Sequence, residues 1–439
     1  MYHSALKFLR AGLLGLSLAF SLSLPLAAQP APDAVPQLRQ AYERQPNNPQ
    51  AAHALADALL VELRRDWGLR DLNASGAAFQ AQADELQFRA RELVQLYEQA
   101  LKQDPRRLDA QVHLAEVYFV FLNQFQQAEN LLLAALKQEA HHPKATIALA
   151  EYQFFFKGQT AEALQRLEQA LQQHAHHPGL VISWADLRTR SSAEAADYAS
   201  ARERVAAALE KQPGDENLRH MLGNLWLREA DLTPQLDRIK AQTGLELYTA
   251  LFESNRDPAQ ALEVAQIARD MGEMEQARAM IEAGLQVAPE HARLQLLKGD
   301  IWLKAGAEAL EARRFSPELQ TAQSAYQQIV LRQKATELLL GEQVQLYYNL
   351  GLLGLIQAQQ TDSTDTETLL ATAVGFFREA QTRFDRLNMV NAPLQQELAR
   401  ALELQGERLL LKKQEGPARE AFGEACELGL ESSCARLRR

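Results

Sequence analysis

The chain has 439 residues, 47% of them hydrophobic, which excludes a disordered polymer. A net charge of −10 at pH 7 argues against a nucleic-acid binder, and two cysteines exclude a disulfide scaffold and most zinc modules. Gly (21) and Pro (16) are sparse and Ala, Leu, Gln and Glu abundant, a composition of helices rather than of a loop-rich β protein.

The N-terminus reads as a secretory signal. Lys7 and Arg10 form a positive start, Ala11 to Leu24 an apolar run, and Leu26-Ala27-Ala28 a small-residue site before Gln29. Cleavage is expected after Ala28, leaving 44 basic against 56 acidic residues. The alternative is an uncleaved anchor, for which the run is short and is followed by Pro25, Pro30, Pro32 and Pro36. No Cys follows the run, so no lipid anchor is indicated, and no later segment is expected to span a membrane.

Turn segments then recur: Pro46-Asn47-Asn48-Pro49, Asp104-Pro105, His141-His142-Pro143, His176-His177-Pro178, Gln212-Pro213-Gly214-Asp215, Asp257-Pro258 and Ala288-Pro289-Glu290. The residues that open the following helices are Pro49, Leu108, Pro143, Pro178, Glu216, Pro258 and Ala292. Their spacings are 59, 35, 35, 38, 42 and 34, so all but the first lie near 34. Counting each opening residue as position 1, positions 7 and 8 pair a large with a small residue: Leu55/Ala56, Leu114/Ala115, Leu149/Ala150, Trp184/Ala185, Leu222/Gly223 and Val264/Ala265. Leu350/Gly351 marks a further unit, while Gly299 is preceded by Lys298, a departure. The unit from Pro258 also has Gly272, Ala277, Ile281, Gly284 and Pro289 at positions 15, 20, 24, 27 and 32. Small residues at 8, 20 and 27 let two helices approach closely.

This pattern resembles the tetratricopeptide repeat over roughly residues 34–425. The resemblance implies an all-α, right-handed superhelical solenoid of helix–turn–helix units, each with an A and a B helix. Three stretches interrupt it. Arg65 to Ala83 is expected as a long loop or helix extension, Thr233 to Phe252 as a lengthened helix B, and Gln360 to Thr368 as a polar, mobile loop. The tail, Ala425-Cys426-Glu427-Leu428-Gly429 with a second cysteine at Cys434, resembles the Sel1-like repeat in its secreted form. That resemblance implies a disulfide joining one helix end to the next helix start, against the alternative of a redox or metal site. The expected organisation is a signal peptide at 1–28, a linker and first helix at 29–48, a repeat array at 49–335, divergent repeats at 336–415 and a Sel1-like cap at 416–439.

No phosphate-binding glycine loop, zinc-protease motif or nucleophile elbow occurs, so neither an enzyme nor a cofactor is expected. His141, His142, His176 and His177 occupy equivalent turns 35 residues apart. They read as solvated turn residues where Asn47-Asn48 stands in the first unit; the alternative is a transition-metal or pH-sensitive edge. In the resembled family, A-helix positions 2, 5, 9, 12 and 13 line the concave face. Position 9 is Asp57, Glu116, Glu151 and Asp186 in successive units and Asn224 in the next. Phe119, Phe154 and Phe155 stand at positions 12 and 13, giving way to Arg190 and Arg228. With Phe121 and Phe156 they exceed what one face buries, so at least two Phe are expected to be exposed or covered by a partner.

An acidic row beside an apolar strip suits an extended or helical partner with basic and large apolar side chains. The expectation is a non-catalytic periplasmic or secreted scaffold that binds an envelope protein through this groove, with no nucleic-acid partner. Its rivals are an accessory subunit of an envelope transport or assembly system handling a small solute, and a homo-oligomeric structural protein. The oligomeric state is left open.

Overall fold

The computed structural model describes residues 34–69, 76–192, 194–232, 235–360, 365–387 and 392–438. The expected signal peptide and its cleavage site lie outside the described residues. Among the described residues every regular element is a helix, and no helix is long and apolar enough to cross a membrane. The chain divides into two compact units, residues 1–70 with 80–248 and residues 71–79 with 249–439.

The first unit carries α1 (Ala34–Arg44), α2 (Pro49–Leu69), α3 (Gly76–Gln103), α4 (Leu108–Glu116), α5 (Phe125–Gln138), α6 (Pro143–Lys157), α7 (Thr160–Gln173), α8 (Pro178–Arg190), α9 (Ala195–Lys211), α10 (Glu216–Ala230) and the start of α11 (Arg238–Asn255). The second carries α12 (Pro258–Met271), α13 (Met274–Val287), α14 (Ala292–Ala305), α15 (Ala307–Glu311), α16 (Pro317–Leu331), α17 (Leu340–Ala358), α18 (Asp365–Asp385), α19 (Ala392–Leu411), α20 (Glu415–Glu427) and α21 (Glu431–Leu437). Within each unit the A helices pack on their own B helices and on the next A helix: α4 on α6, α6 on α8, α8 on α10, and α12 on α14. The fold is an all-α stack of helix–turn–helix repeats.

The large/small pairs explain the packing. Leu55/Ala56, Leu114/Ala115, Leu149/Ala150, Trp184/Ala185, Val264/Ala265 and Leu350 are all buried. Where the small member is glycine, a helix B aromatic takes the vacated space: a Cβ on Gly223 would lie 2.9 Å from the Tyr248 ring, and one on Gly351 2.8 Å from Phe377. Lys298, out of pattern at position 7, sets its ammonium 5.7 Å from the centre of the Trp302 ring and pairs with Glu282 at 2.7 Å.

The turns end each helix by local chemistry. Pro143, Pro178, Pro258 and Pro317 stand in first turns, where no N–H is missed. Asp215, Asp257 and Ser316 accept backbone N–H groups as N-caps. The second histidine of each His-His pair does the same. His142 Nδ1 accepts from the Ala145 N–H at 3.4 Å and His177 Nδ1 from the Leu180 N–H at 3.3 Å, and His291 caps α14 likewise. These rings stand in for the Asn48 cap of the first repeat.

One interruption takes the helix-extension form and one differs from expectation. The stretch from Arg65 lengthens helices on both sides, giving α2 21 residues and α3 28. The polar segment after Gln360 is shorter than the reading of 360–368: α18 begins at Asp365, and Asp365 and Glu367 suit the positive end of its dipole. Residues 361–364 lie outside the described residues. At the C-terminus Cys426 and Cys434 form a disulfide between α20 and α21.

Candidate functional site

The candidate groove residues all fall in the first unit, on A helices α2, α4, α6, α8 and α10, with Phe119 in the turn that continues α4. Position 9 faces the same side of successive helices, but its acids do not form an open row. Glu116, with a side chain 2% exposed, is held by the Arg64 guanidinium, which donates to both carboxylate oxygens, Nε to Oε1 at 2.6 Å. Burial lowers the Arg64 pKa and the Glu116 charge more than restores it. Asp186 is likewise compensated, by Arg190 at 2.7 Å and Arg228 at 3.1 Å. The physical reason is cost: a carboxylate taken out of water between stacked helices needs a partner, and Arg64 on α2 and Arg228 on α10 reach it from the neighbouring A helix while Arg190 reaches Asp186 from one turn along α8.

Glu151 lies between these two pairs. Ser183 Oγ donates to its Oε1 at 3.3 Å, and its Oε2 is buried without a hydrogen bond. Burial, reinforced by the Asp186 charge, pushes this carboxyl well above the usual range. Asn224 stands half-buried at the same position of α10.

The aromatic residues divide. Phe119 and Phe121 are core residues, and Phe154 and Phe155 are half-buried. Phe156, at 49%, is the exposed one of the five, where at least two were expected. Register explains Phe119: Val117–Phe121 winds as a π-turn after α4, which rotates its side chains away from where α-helical counting puts them. Phe156 packs edge-on against Phe119 at 4.6 Å, and Phe154 against Phe155 at 4.9 Å. Arg190 lies over the Phe155 ring at 5.9 Å.

Asp57 belongs to a different cluster. Its Oδ1 accepts from the Tyr97 hydroxyl at 2.7 Å and from His113 Nδ1 at 2.9 Å, and His53 Nε2 lies 3.5 Å away. Burial acts to raise the Asp57 carboxyl, but the His113 hydrogen bond and the imidazole charges outweigh it and hold it below its ordinary value. Among the described residues, His53, Asp57 and His113 are the one group of three whose donor atoms have metal-ligand spacing. Sequence reading passed over His53 and His113, although His53 and Asp57 stand four residues apart on one helix face and His113 stands at the sixth position of the next A helix. In the second unit a position-9 acid repeats the tyrosine contact: Tyr326 donates to Asp300 Oδ1 at 2.8 Å, and Asn349 Nδ2 donates to the Tyr326 hydroxyl at 2.8 Å. Burial pushes the Asp300 carboxyl up to about 6.

His141 and His176 stay at the turn surface, half-buried and exposed respectively. The Nδ1 atoms of His142 and His177 are already engaged by backbone N–H groups, which leaves the paired turns without a convergent donor set.

A tetratricopeptide-repeat family model matches residues 262–315, which span most of α12 and all of α13, α14 and α15. No curated protein sequence matches the chain. Among solved structures, pilF of Pseudomonas aeruginosa is 21% identical, with 53% of this chain and 93% of that one covered and a TM-score of 0.37. A tetratricopeptide repeat protein from Parabacteroides merdae is 15% identical, over 67% of this chain and 98% of that one, with a TM-score of 0.36. TTC0263, a thermophilic repeat protein of Thermus thermophilus, is 16% identical, over 45% and 99%, with a TM-score of 0.35. The matched segment is a tetratricopeptide repeat, set in an all-α chain of stacked helix–turn–helix units.

Proposed function

We propose that the chain is a non-catalytic scaffold of the periplasm that binds another envelope protein on the A-helix face of its first unit. The observation that carries this reading is the pair of half-buried Phe154 and Phe155, three and four residues after Glu151 on the same face of α6, beside a Glu151 carboxyl whose Oε2 makes no hydrogen bond. An apolar pair beside a carboxyl with one oxygen short of a hydrogen bond suits a partner segment with a large apolar side chain and a polar group that completes that hydrogen bonding. Rigid stacked helices hold these groups in place before binding, so little ordering is lost. Export by a cleaved signal at residues 1–28 and a Sel1-like cap at 416–439 are part of the same reading, and the Cys426–Cys434 disulfide suits an oxidising compartment.

A photo-crosslinking residue at Phe154, in cells, tests it. The expected result is one crosslinked envelope protein, which, once purified, binds about fivefold or more weakly to the Phe155→Ala and Glu151→Gln variants. Crosslinks to the chain itself alone would favour the homo-oligomer, a reading that exposed Leu410 and Leu411, adjacent on α19, also support. Equal affinity of all variants would remove this face from the account. N-terminal sequencing of the exported chain is expected to begin at Gln29.

A further inference from the structure

We propose that His53, Asp57 and His113 bind one divalent first-row transition-metal ion, with zinc the best match to their geometry. Two imidazoles and a carboxylate are a donor set for such ions rather than for calcium or magnesium, which take oxygen. Zinc bonds of about 2.0–2.2 Å to nitrogen and oxygen put tetrahedral ligand atoms roughly 3.3–3.5 Å apart. Here Asp57 Oδ1 lies 2.9 Å from His113 Nδ1 and 3.5 Å from His53 Nε2, and all donor atoms fall within 4.8 Å of one another. Small side-chain rotations close the site.

Three further features point the same way. His53 Nε2 is buried and makes no hydrogen bond, a cost that a metal bond removes. The Tyr97 hydroxyl, 2.7 Å from Asp57, orients the carboxylate from behind as an outer-shell partner. The Asp57 side chain is 40% exposed, which leaves a path for the ion and a place for water as fourth ligand. His53 and Asp57 come from α2 and His113 from α4, so the ion would clip two consecutive repeats together.

Arg107 opposes the ion. Its Nη1 lies 3.2 Å from His53 Nδ1 and can only donate, so the imidazole proton sits on Nε2. His113 likewise spends its Nδ1 proton on Asp57. Each ring keeps one proton on binding, moved to the nitrogen away from the metal. The His53 proton then faces Arg107, which must swing off; its Nε already lies 3.4 Å from Asp104.

The test is titration of the untagged full chain with zinc chloride, and with cobalt(II) read by its absorption. One equivalent is expected, with affinity about tenfold or more weaker in His53→Gln and Asp57→Asn. Arg107→Ala is expected to bind severalfold more tightly, which a purely structural role for the cluster would not produce. Circular dichroism separates lost ligands from lost fold, and the more exposed Asp57→Asn decides the matter if His53→Gln unfolds. No saturable binding overturns the proposal. So does binding that survives both ligand variants or is lost in His141→Gln/His176→Gln, and so does weaker binding by Arg107→Ala.

Discussion

Gly299 and Tyr326 pack with no room for one added carbon: a Cβ on the glycine would overlap the tyrosine ring. The close approach carries α14 onto α16, and the same relation recurs at Gly406 and Phe422, where a Cβ would stand 2.9 Å from the ring. Gly299→Ala is therefore expected to destabilise the chain by about 1–3 kcal/mol, the cost of overpacking, although alanine is the better helix former. Gly375 in α18 has nothing within 4 Å of a Cβ, so Gly375→Ala should stabilise by about 0.5–1 kcal/mol. Urea unfolding of the two variants checks the opposite signs.

The Arg64–Glu116 pair joins α2 to α4 across one repeat. Removing one partner leaves a charge among stacked helices without its counter-ion. Arg64→Ala is expected to cost about 3–5 kcal/mol, and Arg64→Met with Glu116→Leu together much less than the sum of the single changes. Additive losses in a double-mutant cycle would show that the two side chains are not coupled.

This pair also marks what could be read from sequence. The repeat was legible because its signal is local: a large residue beside a small one, returning every 34 or so positions, has the same packing meaning wherever it occurs. Glu116 as a presented acid was not, because its partner Arg64 lies at the junction with the extension that lengthens α2, beyond the repeat pattern. The π-turn at Val117–Phe121 likewise carries no sequence mark that distinguishes it from α-helix, so Phe119 could be placed on the wrong side. The histidine turns were half legible: their place in the turns followed from the equivalence with Asn47-Asn48, and the capping role of half-buried His142 and His177 needed coordinates. His53 and Asp57 carried a signal, four residues apart on one helix, that gains meaning once His113 is brought beside them.

The histidine caps make stability sensitive to acid. Nδ1 of His177 and of His291 accepts a backbone N–H, and a protonated ring cannot. Burial lowers both pKa values below the ordinary 6.5. The unfolded chain therefore binds more protons as pH falls below 6.5. Their contribution is complete above that value and is lost as pH drops through the folded pKa values. His177→Asn with His291→Asn keeps the acceptors and is expected to remove this loss. Substitution by Ala should cost about 1 kcal/mol per cap at pH 7.5. Thermal unfolding at pH 7.5 and pH 5 measures both, and an unchanged acid loss in the Asn variant would show that the caps do not titrate.

Asp300 gives the opposite slope. Its carboxyl titrates at about 6 in the folded chain, against an ordinary 3.8. Between those values the folded chain holds a proton that the unfolded chain has released, so stability falls as pH rises from 4 to 6. The penalty reaches about 2–3 kcal/mol at neutral pH. Asp300→Asn retains an acceptor for the Tyr326 hydroxyl and carries no charge, so its stability relative to wild type is expected to rise by that amount between pH 4 and 7. Because the histidine caps act over an overlapping range with the other sign, the wild-type profile alone can look flat. Urea unfolding of Asp300→Asn beside wild type at half-unit intervals of pH isolates the aspartate, and a constant difference across the range would mean that Asp300 stays ionised in the folded chain.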